Sequence, residues 1–386
     1  MGWLRGGFGR AAPWWLVALA AALAAACGGG VGTGGTGAFA SGPITGFGSI
    51  IVQDVHFDES AATVDDDDGD QRSRSDLRLG QMVEIDSGAI SNGAATASQV
   101  RIISALVGRV DSVAADTLVV NGQTVRVNSG TVFDDRFVGG IGAITVGRVV
   151  EVSGYVAATD ITATRIEPDD GATSFKFRGV VSALDTQAHR FDIGNAHFTY
   201  DAGIAGAPAL HNGAFVRVVV GLQPDAQGRW VVNAVGATAP VGGDRDEAKA
   251  RGVITAFSSN ASFSVGGVLV DASAAQIEGG PLAVGVRVEV EGRLVSGVLV
   301  AGSVEVEDKD QTEPLELRGT IATLDTAAKV FTVSGRGERV SYARSDIEYD
   351  NGTAADLKLQ AAVRVTGQLS ADGTLVEATR IRFGGS

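Results

Sequence analysis

The chain has 386 residues, with 45 acidic side chains against 31 basic ones, a formal charge of −14, 54 glycines and one cysteine. An acidic balance of this size disfavours nucleic-acid backbones and anionic lipid surfaces as partners. A single cysteine excludes a disulfide framework within the chain, so stability has to come from packed cores.

The N-terminus reads MGWLRGGFGR, with Arg5 and Arg10 and no acid, and is followed by an apolar run from Trp14 to Ala26. That run is shorter than the roughly 20 residues needed to cross a bilayer. A basic start, a short apolar stretch and small residues before a cut site describe a secretory signal peptide. The small residues are Ala24, Ala25 and Ala26, and the next is Cys27. The pattern resembles the lipobox of bacterial lipoproteins, with Ala24 where leucine is usual and Leu23 one place further out. The resemblance implies cleavage before Cys27 and a diacylglycerol on its sulfur. Lipidation also accounts for an unpaired cysteine in an exported protein, and several acyl chains on one residue anchor a protein stably. Without Arg5 and Arg10 the mature chain has 29 basic residues against 45 acidic ones, or −16.

GGGVGTGGTGAFASG follows the cysteine and has the composition of a flexible tether. Its GTGGTG, Gly32 to Gly37, matches the dinucleotide fingerprint, but no strand is expected before it and no helix after it, so the match carries no nucleotide site.

A repeat dominates the rest. Alternating apolar strands end in glycine at Gly154, Gly221, Gly292 and Gly367, spaced 67, 71 and 75 residues apart. Earlier glycines at Gly108, Gly179, Gly252 and Gly319 are spaced 71, 73 and 67 apart. An L-x-x-G approach ends at Gly80, Gly147 (as ITVG), Gly213 and Gly285, and the last copy has Gln360 in the glycine's place. Each copy opens with a glycine-bearing strand and continues into a hairpin. Asn121-Gly122 is a type I′ turn signal in the second copy, and Gly266-Gly267 marks the turn of the fourth. Val, Ile, Thr and Phe fill the strands, and Gly, Asn and Asp the breaks. Helical periodicity is absent outside the signal peptide.

The expected fold is all-β: a tandem array of five small five-stranded, OB-like barrels, closed so that no sheet edge is left sticky. The expected boundaries are a signal peptide at 1–26, a tether at 27–43 and modules at 44–104, 105–170, 171–240, 241–310 and 311–386. EPDDGATS and APVGGDRDEA read as linkers between whole domains, which favours beads on a string.

GFGSIIVQDVHFDES followed by DLRLGQMVEI resembles the opening module of bacterial lipoproteins built from domain-of-unknown-function 5666 repeats. There a GFGS(I/V)xVNGxxF start and a DLxxGMxVxVxG strand recur. Gln53-Asp54 replaces the Asn-Gly turn here, and Gln81-Met82 and Asp86-Ser87 also depart from the pattern. The resemblance implies an exported small-barrel repeat protein. It brings no activity with it, because its motifs are glycines and alternating apolar residues.

Little of the chain reads as chemistry. His56, His189, His197 and His211 make no metal-ligand spacing, and there is no G-x-S-x-G elbow or P-loop. Trp230 is the only tryptophan after the signal peptide, and stacking aromatics over a basic groove, which single-stranded nucleic acid requires, are missing. The acidic run Asp65, Asp66, Asp67, Asp68 and Asp70 in TVDDDDGDQRSRSD reads first as a solvated loop eased by Arg72 and Arg74. The same carboxylates could cage calcium weakly, although the EF-hand register fails.

The expected function is a non-catalytic binding, spacer or scaffold protein. It is exported and anchored to the cell envelope by lipid on Cys27, with an envelope protein or polysaccharide as partner and no nucleic acid. Gly28 gives no inner-membrane retention signal, which favours the outer membrane in a Gram-negative cell. No catalytic residue and no cofactor beyond weak calcium is expected. The alternatives are a calcium or small-ligand sensor using the acidic first module, and an envelope enzyme with a site between modules.

Overall fold

Alternation of buried and more exposed side chains builds many of the strands. In Phe175–Asp185 the side chains of Phe175, Phe177 and Val181 face inward, with Gly179 between them, while Lys176, Arg178 and Val180 lie at the barrel's outer side. The computed structural model describes residues 37–236, 240–308, 312–335 and 337–384, all within one compact unit. Cys27, the signal peptide and the first part of the tether lie outside the described residues.

The described residues form five closed barrels with one plan. Barrel 2 shows it most simply, with strands Leu106–Val113, Thr117–Val120, Gln123–Arg126, Val149–Val156 and Asp160–Pro168. The first three strands pair antiparallel in sequence. The third then pairs parallel with the fifth, the fifth antiparallel with the fourth, and the fourth antiparallel with the first, which closes the ring. The strand order 1-2-3-5-4-1 is that of the OB barrel. Barrels 3, 4 and 5 repeat the order. Barrel 1 does so with its first strand broken into Ala38–Pro43 and Gly46–Phe47.

The repeated glycines have two separate causes. The residue closing L-x-x-G has positive φ in every copy, from 77° at Gly80 to 88° at Gly147, and 66° at Gln360. It turns the chain into the fourth strand from the left-handed region, where a Cβ is strained. In barrels 2, 4 and 5 the later glycine sits at a β-bulge inside the fourth strand, whereas Gly221 of barrel 3 lies just past its strand, with open space where a Cβ would be. The ladder slips at Gly154, Gly292 and Gly367, and a Cβ there would lie 2.1–2.4 Å from a carbonyl of the fifth strand. Bulges of this kind bend a strand around a tight ring.

Ala38–Pro43 corrects the tether boundary drawn from composition. Ala38, Phe39 and Ala40 are fully buried, and the strand pairs antiparallel with Met82–Ser87 and parallel with Arg245–Ser259 of barrel 4. Small residues hid a strand whose burial comes from a neighbour more than 200 positions away. Beads on a string is corrected as well, and part of the linker APVGGDRDEA is strand, since Arg245–Ser259 begins inside it. Barrel 1 also pairs parallel with barrel 5, Gly46↔Glu316 and Phe47↔Leu317, while barrels 2 and 3 join through Leu106↔Phe177 and Val107↔Lys176. Barrels 1, 4 and 5 thus share one hydrogen-bonded sheet and barrels 2 and 3 another. The cores merge in related groups. One cluster spans barrels 2 and 3, and a second spans barrels 1 and 5. Barrels of some 65 residues bury too little surface to be robust alone, and each buried Phe, such as Phe177 or Phe331, contributes roughly 1.5–3 kcal/mol.

Candidate functional site at the junctions between barrels

The acidic run is a plug. Thr63–Asp66 and Gln71–Arg72 form a small hairpin whose first strand pairs parallel with Ala94–Ile103, the fifth strand of barrel 1. Asp66 organises its turn: Oδ1 accepts from the backbone N–H of Asp68 and Asp70, both at 3.0 Å, and Oδ2 accepts from Arg72 Nε at 2.9 Å. Asp65 turns back to Gln99 at 2.9 Å and Arg101 at 3.4 Å within barrel 1. Asp67 and Asp68 point outward into barrel 3. Asp67 meets Arg178 at 2.7 Å and Lys176 at 3.6 Å, and Asp68 pairs with Lys176 and Arg217. The side chain of Asp67 is 4 % exposed. Asp70 gives its backbone N–H to the turn. Of the carboxylates proposed as calcium ligands, Asp65 therefore faces barrel 1, Asp66 its own turn, and Asp67 and Asp68 the cations of barrel 3. Among the described residues no group of three or more His, Cys, Asp or Glu side chains is placed to hold a metal.

Lys176, Arg178 and Arg217 are brought together by strand register, with Arg178 directly opposite Arg217. Burial disfavours the Asp68 carboxylate, but the Lys176 and Arg217 charges outweigh it and hold its pKa below the usual range. Lys176 is raised, because Asp67 and Asp68 outweigh the burial that would lower it. Two carboxyls beside this cluster go the other way. Burial pushes Glu84 up to about 7 against the pull of Arg178 and Arg101, and its Oε2 accepts from Val241 N at 3.2 Å. Burial, with Glu167 next, pushes Glu151 up to about 7, while the Ser104 hydroxyl donates to it and draws it down.

A second buried cluster ties barrel 4 to its neighbours. Arg251, 6 % exposed, meets Glu307 at 2.8 Å and also pairs with Glu289 and Glu313. Arg287 meets Glu307 at 2.7 Å and lies over the ring of Tyr155 from barrel 2, 4.9 Å from its centre. A third cluster centres on Arg165 of barrel 2, which reaches Asp134 at 3.1 Å, Glu167 at 2.9 Å and the Leu79 carbonyl of barrel 1 at 3.3 Å.

The sequence held a signal for two of these clusters. Arginine precedes the early glycine in three copies, as Arg178, Arg251 and Arg318. Arg178 takes Asp67 of barrel 1, Arg251 anchors the second cluster, and Arg318 lies against Gly48 of barrel 1. A repeated outward arginine beside the bulged strand is thus a mark of an inter-barrel contact. The partner of each is set by the fold.

The histidines stay scattered. His197 pairs with Asp192 at 2.7 Å on the surface, His56 meets the Ser49 hydroxyl at 3.2 Å, and His189 leans on Tyr200. Trp230 packs edge-on to Phe175, 5.7 Å between ring centres, as part of the core of barrels 2 and 3.

Where barrels 1, 2, 4 and 5 converge, a cavity of ≈ 130 Å³ opens beside Tyr155 and Thr164. A smaller cleft of ≈ 50 Å³ lies between barrels 2 and 5, walled by Arg165 and Glu338.

A family model described as "Domain of unknown function (DUF5666)" matches residues 41–101, 107–167, 251–305 and 318–382, which are barrels 1, 2, 4 and 5. Barrel 3 lies outside the match and has the same strand order. No curated protein matches the chain.

Proposed function

This chain belongs to the DUF5666 family, and on that premise we propose that it is a lipid-anchored, non-catalytic repeat protein of the cell envelope, holding a rigid five-barrel body close to a membrane as a scaffold or binding module. The observation that carries the reading is the strand pairing between barrels 1 and 4, 1 and 5, and 2 and 3. A flexible string of domains would act as a spacer. Barrels joined by shared sheets and buried ion clusters instead keep fixed surfaces in fixed relation, which suits a platform for a partner. Cys27 precedes the first barrel strand, Ala38–Pro43, by eleven residues, so lipid on its sulfur would hold the body near the bilayer surface. An envelope protein or polysaccharide is the partner this placement favours.

Two measurements test the reading. A palmitate-analogue label should enter the wild type and fail to enter Cys27→Ala. Equal labelling of both would remove the anchor. Mild crosslinking in the native envelope, followed by capture and mass spectrometry with glycan analysis, should return a near-stoichiometric partner. An empty capture, with the protein intact at the membrane, would overturn the platform reading.

A further inference from the structure

Among the described residues two buried hydroxyls have no hydrogen-bond partner, and the residues that carry them line the same cavity. Tyr155 OH and Thr164 Oγ1 are buried without a hydrogen-bond partner, their residues are 5 % and 8 % exposed, and both line the ≈ 130 Å³ space between barrels 1, 2, 4 and 5. Buried polar groups almost always find partners, and an orphan calls for a ligand or an ordered water. We propose that this cavity is a binding site for an uncharged, hydroxyl-bearing ligand of about monosaccharide size, held by Tyr155 and Thr164.

The charge pattern argues for a neutral ligand. Arg287 and Glu313 are the ionised side chains on the wall, and both are already spent, Arg287 on Glu307 at 2.7 Å and Glu313 on Arg251. An anion or cation would enter with no free counter-charge, and burying an unpaired charge is costly. A hydroxyl both donates and accepts, so the two orphans match a molecule that does the same. Ile44, Val132, Ala163 and Leu315 supply apolar wall between the polar points, the mixture expected of small-molecule sites. Ser129 and Gln368 are exposed lining residues and place the mouth at the surface. The site exists only in the assembled body, because its walls come from four barrels. The inference does not depend on the lipid anchor.

The test uses the full chain in detergent, titrated with D-glucose, D-galactose and N-acetyl-D-glucosamine, with glucosamine and glucuronate as charged counterparts. Binding is read by saturation-transfer difference NMR and calorimetry. At least one neutral sugar should bind, with its charged counterpart at least tenfold weaker. Tyr155→Phe and Thr164→Val should each weaken that sugar five- to tenfold. Tyr155→Phe keeps the ring under Arg287, so without sugar it should leave the melting temperature unchanged or raised. No binding by the neutral sugars at about 10 mM, near the weak end of useful affinities, would overturn the proposal. So would a melting temperature lowered by Tyr155→Phe with no sugar effect, which would mean ordered water alone satisfies the hydroxyls.

Discussion

Barrels 1 and 3 share one strand order and differ in almost everything else. Barrel 1 is a hub. It pairs strands with barrels 4 and 5, plugs barrel 3 through Asp67 and Asp68, and gives the Leu79 carbonyl to Arg165 of barrel 2. Barrel 3 joins barrel 2 by a short stretch of ladder and receives the plug on Lys176, Arg178 and Arg217. The same turn shows the contrast at one residue. The third position of L-x-x-G is Leu79 at 1 % exposure in barrel 1 and the exposed Asn212 in barrel 3, and it is Val146, Val284 and Leu359 at 65 %, 48 % and 59 % in barrels 2, 4 and 5. The fold tolerates either outcome there, because the position points away from its own barrel. What the position contributes is decided by whether another barrel covers it.

Removing the plug is the strongest way to break this relation. Asp67→Ala removes the ion-pair partner of Arg178 and leaves Lys176 with Asp68 alone. Breaking a buried pair from one side costs about 3–5 kcal/mol. Urea unfolding should show the first transition shifted by that amount, with barrel 3 cleaved earlier in limited proteolysis. An unchanged curve would mean that the plug is ornamental.

The carboxyls beside the plug should make the same junction sensitive to pH. Glu84 and Glu151 are raised in the folded protein from about 4.5 to about 7. The folded state therefore binds these protons more tightly than the unfolded chain does. Their contribution is complete below about pH 4.5 and is lost as pH rises through 7. Stability should fall between pH 5 and pH 8, by on the order of 2 kcal/mol for the more buried Glu84, and Glu84→Gln should flatten the profile. Asp68 and Asp134, lowered in the folded state, act in the opposite sense and only below about pH 4.

Smaller effects sharpen the contrast at turns and loops. Gln360 holds φ of 66° where the other four copies have glycine. Gln360→Gly should raise the stability of barrel 5 by about 1 kcal/mol, read as a rise in its melting temperature. Calcium at 1 mM should leave the melting temperature unchanged, because Asp65, Asp66, Asp67 and Asp68 are each engaged by an arginine or lysine. A rise would return the run to the list of cation sites.

Much of each barrel was legible in the chain. Period-two alternation, the Asn121-Gly122 turn with both φ values positive, and the glycines of L-x-x-G are local requirements, satisfied within a few residues. Ala38–Pro43 was not legible, because its apolar content is one phenylalanine among small residues and its partners lie in barrel 4 as well as barrel 1. The acidic run was visible as charge, and its role was hidden because Lys176, Arg178 and Arg217 lie on two strands of another copy. Tyr155 and Thr164 gave no signal, since one aromatic and one hydroxyl in a β-rich chain read as ordinary strand residues.

The sequence by itself determined a repeated five-stranded barrel, since turn chemistry and side-chain alternation act over distances of a few residues. Only the tertiary structure decided which barrels share sheets, which aspartates meet which arginines and where two hydroxyls are left without partners. Those outcomes depend on surfaces far apart in the chain, and closing each barrel leaves its outer face free to be completed by any of the others.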